Sequence, residues 1–215
     1  MNYTGFAAGT RSGLETQCYH FCVSCAGYLL VGGRSSRMGS DKALLPFHGG
    51  PLGRSLAGLV EQAAGSVVLV GNPQLGPVVG FPAIPDLYPG EGPLGGILTA
   101  LRHTGGDWNL LVACDMPGLS AEFLAGLVDA ARRSEADGLL PVGPGGRPEP
   151  LCAVYHRRAK DPLERAFARG VRKIVAALDE PGMAVCRWPV TEAGVFQNVN
   201  TPEDWAPWAT RYAAK

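Results

Sequence analysis

Residues 27–45 read GYLLVGGRSSRMGSDKALL, and the change of character within this stretch decides the fold. GYLLV, residues 27–31, is a short apolar run that stops at Gly32 and Gly33, the pattern of a strand buried on both faces. From Gly32 to Lys42 the chain is rich in glycine and serine and carries Arg34, Arg37 and Lys42, three cations within nine residues. A buried strand that runs straight into such a loop opens an α/β unit.

Working outward, the alternation repeats. Residues 51–64 fit a helix opened by Pro51 and closed near Gly65, and SVVLVGN (66–72) fits a second buried strand. FPAIPD (81–86) is a short extended piece restricted by its prolines. PLGGILTALRH (93–103) has helical spacing, and WNLLVACD (108–115) is the strongest strand. Ser120 caps a helix that runs through Arg133, with Leu124, Leu127 and Val128 on one face. GLLPV (138–142), PLCAVY (150–155) and MAVCRWPV (183–190) fit further strands. Asp161-Pro162 starts a helix that Gly170 stops, and Thr201-Pro202-Glu203-Asp204 forms a capping box before the last one. We expect an α/β fold with a mostly parallel central sheet and helices on both faces. Residues 143–150, GPGGRPEP, fit a surface loop. Residues 1–24 have no periodicity and are expected to be a flexible N-terminal extension. Residues 25–215 are expected to form a single domain.

The chain has 215 residues, of which 46% are hydrophobic, enough for a core; Lys+Arg and Asp+Glu balance at 19 each. Zero net charge argues against a nucleic-acid coat or a basic membrane binder, so any anion site must be a local cluster of cations. No apolar run approaches membrane-spanning length and the N-terminus does not read as a secretory signal, so a soluble, cytoplasmic protein is expected. Of the six cysteines, Cys114, Cys152 and Cys186 fall in apolar stretches and read as core residues. Cys18, Cys22 and Cys25 form C-x3-C-x2-C, a spacing also used for iron–sulfur clusters. That use needs a barrel the rest of the chain does not resemble, and a zinc site would need a fourth ligand, with His20 nearby at irregular spacing.

In open sheets of this kind the site lies at the carboxyl ends of the strands, and the polar motifs fall there. The loop after Val31 suits a triphosphate, because glycines admit backbone N–H groups to an anion and the cations balance its charge. It is neither G-x-x-x-x-G-K-[ST] nor G-x-G-x-x-G, and the same residues also fit a glycine turn with solvated arginines. Asp115 in CDMP ends the strongest strand, where a carboxylate suits Mg²⁺ or a turn before Pro117. Asp86, followed by Gly90, Gly92, Gly95 and Gly96, fits a sugar or metal contact beside a helix N-terminus, or a turn in a glycine-rich connection. Asn198 and Asn200, at period two, would present both amides on one face of an extended segment, or satisfy a turn. No G-x-S-x-G or H-E-x-x-H occurs.

Taken together and in order, LVGGRSSRMGSDKALL, GPLGGI, CDMP and NVNTPED resemble the molybdenum cofactor guanylyltransferases, over about residues 27–208. The resemblance implies a Rossmann-like three-layer α/β sandwich. It also implies transfer of GMP from Mg·GTP to the terminal phosphate of molybdopterin, with release of pyrophosphate. By the same resemblance Leu30, Val31, Gly32 and Gly33 begin the nucleotide-contacting loop, and Arg37 steadies the outgoing pyrophosphate. Lys42 binds phosphate, Asp86 binds nucleotide, and Asp115 holds Mg²⁺. Asn198 and Asn200 face the pterin. Other cofactor-biosynthesis proteins and apo-molybdoenzymes are the partners it suggests. Two positions depart from the family pattern. Val31 stands where alanine is usual, and Val70 where an asparagine ends the second strand, with Asn72 two residues on. Gly32-Gly33 favours GTP over CTP among relatives. The alternative is a related nucleotidyltransferase that uses CTP or another small phosphate acceptor.

Overall fold

The computed structural model describes residues 24–32, 41–192 and 194–212. Gly33, Arg34, Arg37, Cys18, His20 and Cys22 lie outside the described residues. A seven-stranded sheet carries the fold, in the order β5 (Ala83–Pro85), β4 (Val68–Gly71), β1 (Cys25–Val31), β6 (Trp108–Ala113), β8 (Cys152–His156), β7 (Gly138–Val142), β9 (Val185–Pro189). The pairs β4–β5, β1–β4, β1–β6 and β7–β9 are parallel. Only β8 runs the other way, antiparallel to both β6 and β7. The connection from β7 to β8 is the loop at 143–151, with no helix in it. A strand that lacks a helical crossover returns antiparallel beside its predecessor. Ser24, at the junction expected between extension and domain, accepts backbone hydrogen bonds from Asp107 and Trp108 at 3.1 Å each.

The inner strands are buried on both faces, which explains their continuous apolar runs, while the edge strands β5 and β9 are partly exposed. Along β1, Leu29 and Val31 enter one core and Tyr28 the other; along β6, Leu110 and Val112 oppose Leu111. The first core is closed by α1 (Leu52–Ala64), α4 (Ala121–Arg132) and α7 (Pro202–Tyr212). The second is closed by α3 (Pro93–His103), α5 (Lys160–Ala168) and α6 (Ile174–Leu178). These are the three layers expected. Ser120 Oγ accepts from Phe123 N–H at 3.2 Å and starts α4 as the sequence suggests. Short pieces escaped the sequence reading: a 3-10 turn at Lys42–Leu44, the hairpin β2 (Pro46–Phe47) and β3 (Gly50–Pro51), α2 (Leu75–Val79), and α6. Each is too short to display a period. Among the described residues no helix is long and apolar enough to cross a membrane.

The chain leaves β1 for β4 and β5 on one side, then returns to β6 on the other. At this reversal the crossovers diverge and leave a crevice at the strand ends. The crevice depends on a close approach. Gly71 pairs with Val31 at φ 137°, and a Cβ there would stand 1.6 Å from Val31 O. Gly71→Ala is therefore expected to destabilise the protein by more than about 2 kcal/mol. Gly58→Ala, inside α1 with open space around its Cβ position, should stabilise it by roughly 0.5–1 kcal/mol. Denaturant midpoints of the two variants check the pair.

Candidate active site

The crevice is a cleft of about 1110 Å³. Leu30, Val31 and Gly32 form its floor, with Val70, Gly71 and Asn72 beside them. Asp86, Pro89, Gly90 and the N-terminus of α3 form one wall; Lys42, Asp115 and Asn200 form the other.

Lys42 is fixed locally. Asp41 Oδ1 accepts from Ala43 N–H at 3.0 Å and caps the 3-10 turn. Ala43 is fully buried against Gly53 of α1, where an added Cβ would come within 3.1 Å of it. Asp115 stands just past β6, whose pairing with β1 is extended by Cys114 N–H donating to Leu30 O at 3.2 Å. Val199 N–H donates to Asp115 O at 2.8 Å, which draws the segment before α7 across the end of β6. Asp204 then accepts from both Asn200 and Thr201 N–H at 2.9 Å, while its own N–H donates to Thr201 Oγ1 at 3.2 Å. This is the reciprocal cap expected at residues 201–204. The two backbone donors hold the Asp204 carboxyl below the usual carboxylate range.

These contacts bring three residues from distant parts of the chain together. Lys42 Nζ donates to Asn200 Oδ1 at 2.7 Å and to Asp115 Oδ2 at 3.2 Å. Lys42 and Asp115 are mostly shielded, at 14% and 20% side-chain exposure, so water screens their attraction only partly. Asp115 Oδ1 is buried and has no hydrogen-bond partner among the described residues. An unpaired buried acceptor is unfavourable by roughly 1–3 kcal/mol. A hard cation that takes one carboxylate, with water and phosphate oxygens for the rest, fits that atom. Among the described residues there is no group of three His, Cys, Asp or Glu side chains placed to hold a metal.

The opposite wall is equally constrained. Asp86 Oδ1 accepts from Tyr88 N–H at 3.0 Å and lies 2.9 Å from Thr99 Oγ1, which itself accepts from Leu87 N–H at 3.0 Å. Helix α3 starts at Gly92 and Pro93, which line the cleft, so its positive dipole end faces that side. Asn72 lines the cleft as well, but its Oδ1 is engaged by Gln74 N–H at 3.0 Å.

The structure thus gathers Leu30, Val31, Gly32, Lys42, Asp86, Asp115 and Asn200 around one space. Asn198 is not among the residues that line it, and its Oδ1 is buried without a partner among the described residues. Residues 194–197 form a turn, with Gln197 N–H on Gly194 O at 3.1 Å, just before the two asparagines. Thr99 and Asp41 were missed. Thr99 is a lone polar residue on a buried helix, and nothing local reveals that it faces Asp86. Asp41 sits two residues before the N–H it caps, a signal that was present.

Cys114 lines the cleft, but burial, reinforced by the charges of Asp115 and Asp41, pushes its thiol up to about 12. It stays protonated and is no nucleophile. Cys152 is a core residue, and Cys25 opens β1, with burial pushing its thiol up to about 11. Replacing Thr99 by the near-isosteric Val leaves Leu87 N–H without its partner and Asp86 Oδ1 with Tyr88 N–H alone. It should destabilise the protein by about 1–3 kcal/mol in a denaturation titration.

Residues 27–181 match the MobA-like NTP transferase domain. A Bacillus mycoides protein named "probable molybdenum cofactor guanylyltransferase" is 30% identical over 189 residues, 84% of this chain and 94% of the relative. A Methanothermobacter thermautotrophicus protein of the same name is 35% identical over 190 residues, 82% of this chain and 94% of the relative. Among solved structures, molybdopterin-guanine dinucleotide biosynthesis protein A from Archaeoglobus fulgidus superposes with a TM-score of 0.73 at 30% identity. The match covers 86% of this chain and 97% of that one.

Proposed function

This chain belongs to the MobA-like NTP transferase family and is a nucleotidyltransferase, and we propose that it transfers GMP from GTP to the terminal phosphate of molybdopterin. The observation that carries the reading is the meeting of Lys42, Asp115 and Asn200 at 3.2 Å and 2.7 Å across the cleft from Asp86 and the α3 N-terminus. One wall is built for the sugar and base of a nucleotide, the other for phosphate. The names of the relatives supply the choice of guanine and of the molybdopterin acceptor.

An oxygen of the acceptor phosphate attacks the α-phosphorus of GTP. The bond to the bridging oxygen of the β-phosphate breaks, and pyrophosphate leaves. A phosphate monoester loses its second proton near pH 6, so the acceptor is already a nucleophile at neutral pH and needs no general base. The protein's task is alignment and charge balance as two anions meet. Leu30, Val31 and Gly32 bring backbone against the nucleotide, and Asp86, braced by Thr99, binds it from the opposite wall; the family resemblance assigns Gly33 to the same loop. Lys42 binds phosphate, and Arg37 steadies the pyrophosphate as it departs. Asn200 lies on the acceptor side, a role the family resemblance extends to Asn198. Asp115, whose Oδ1 has no partner among the described residues, is the carboxylate that would hold Mg²⁺, which when bound neutralises triphosphate charge.

Incubation with molybdopterin, Mg²⁺ and each nucleoside triphosphate in turn should yield a dinucleotide from GTP. Product from CTP and none from GTP overturns the choice of base. Asp115→Asn keeps the side-chain shape and an acceptor for Lys42, so folding should be retained while transfer falls by at least about 100-fold. Wild-type turnover in this variant removes Asp115 from the reaction.

A further inference from the structure

Beyond the braced Leu87 and Tyr88, the cleft wall at residues 89–92, PGEG, turns on two glycines. Gly90 and Gly92 both line the cleft and both occupy the left-handed region, at φ 83° and 85°. Glycine has more backbone freedom than any other residue, so a wall built on two of them is floppy unless held from outside. Between them stands Glu91, and its carboxylate points to a tether. Arg172 Nε donates to Glu91 Oε2 at 2.5 Å.

Arg172 is not an ordinary surface arginine. Its Nη1 donates to Phe167 O at 2.8 Å and to Val171 O at 3.1 Å, at the end of α5. Its guanidinium carbon lies 3.9 Å from the centre of the Phe167 ring. The same ring packs on Tyr88, centre to centre 4.8 Å, and Glu91 N–H donates to Tyr88 O at 3.1 Å. Tyr88, Phe167, Arg172 and Glu91 therefore form a closed circuit that joins the glycine wall to α5. Exposed ion pairs are usually worth little, because two mobile side chains must be frozen to make them. Here the planar fork of Arg172 is already fixed by two carbonyls and a ring, so pairing with Glu91 orders little more than the carboxylate.

We propose that Arg172 and Glu91 are positioning residues that clip the glycine wall in its nucleotide-binding shape. The proposal rests on the reading that the cleft binds a nucleoside triphosphate. A clip of this kind acts on nucleotide affinity and leaves the transfer step alone, since neither residue touches the phosphate-side group of Lys42, Asp115 and Asn200.

The test is a set of full-length variants, Arg172→Ala, Glu91→Gln, both together, and the charge swap Arg172→Glu with Glu91→Arg. Each is measured for GTP Kd by calorimetry, for KM and kcat, and for Tm. Each single variant should weaken GTP binding about fivefold, with KM rising in parallel and kcat within about twofold of wild type. The double variant should be no weaker than about tenfold, because both changes break one interaction. The charge swap should recover part of the loss. Glu91→Gln, on an exposed loop, should leave Tm unchanged, and it keeps the test valid if Arg172→Ala loosens the end of α5. Wild-type Kd in both Glu91→Gln and Arg172→Ala overturns the clip, as does a loss confined to kcat. A loss of affinity that tracks a fall in Tm also overturns it. Wild-type protein that binds no triphosphate overturns both the clip and the proposed function, whereas wild-type binding with indifferent variants overturns the clip alone.

Discussion

The strand β1 is hydrogen-bonded on both sides, to β4 through Tyr28–Val31 and to β6 through Cys25–Leu30, and the rest of the molecule is arranged by that constraint. A central parallel strand cannot be joined to either neighbour by a tight turn, so each crossover must climb over a face of the sheet. The crossover out to β4 carries α1 and the one that returns to β6 carries α3, on opposite faces. Their divergence opens the cleft, and Lys42, Asp86, Asp115 and Asn200 line it. The approach of Val31 to Gly71 sets how close the two strand ends come, hence the shape of the floor.

The charges at the rim are placed by backbone devices. A cap by Asp41 directs Lys42, the pairing of β6 with β1 directs Asp115, and the reciprocal cap at Thr201 and Asp204 directs Asn200. The two caps are local, and the strand pairing is long-range. Their convergence produces a shielded cation beside a carboxylate with one buried oxygen unpaired. Such a site is ready for a ligand because part of its polar capacity is unused. The opposite wall follows another logic. Asp86 Oδ1 is braced through Thr99 and Tyr88, while between the glycines beyond it Glu91 pairs with Arg172 past the end of α5.

Helices and strands that bury one stripe or two faces were legible, because burial imposes a period that residues 93–103, 120–133 and 138–142 display openly. The antiparallel course of β8 was not, since PLCAVY reads alike in either direction and only its short connection settles the matter. Helices α2 and α6, of five residues each, are held by packing rather than by pattern. At the site, Lys42, Asp86, Asp115 and Asn200 were legible as types in motifs. Thr99 and Arg172 were not, because a supporting residue carries no local mark of what it supports.

The sequence by itself determined the layering of the fold, the strand ends at which the chemistry gathers, and the kinds of groups available there, because burial periods and caps are properties of neighbouring residues. Only the tertiary structure decided that Lys42 meets Asp115 and Asn200, that Asn198 stays off the cleft wall, and that Glu91 reaches Arg172. Those contacts span 73, 158 and 81 residues of chain. Their geometry is set by the strand order and by the hydrogen bonds that close the loops, which no short stretch of sequence contains.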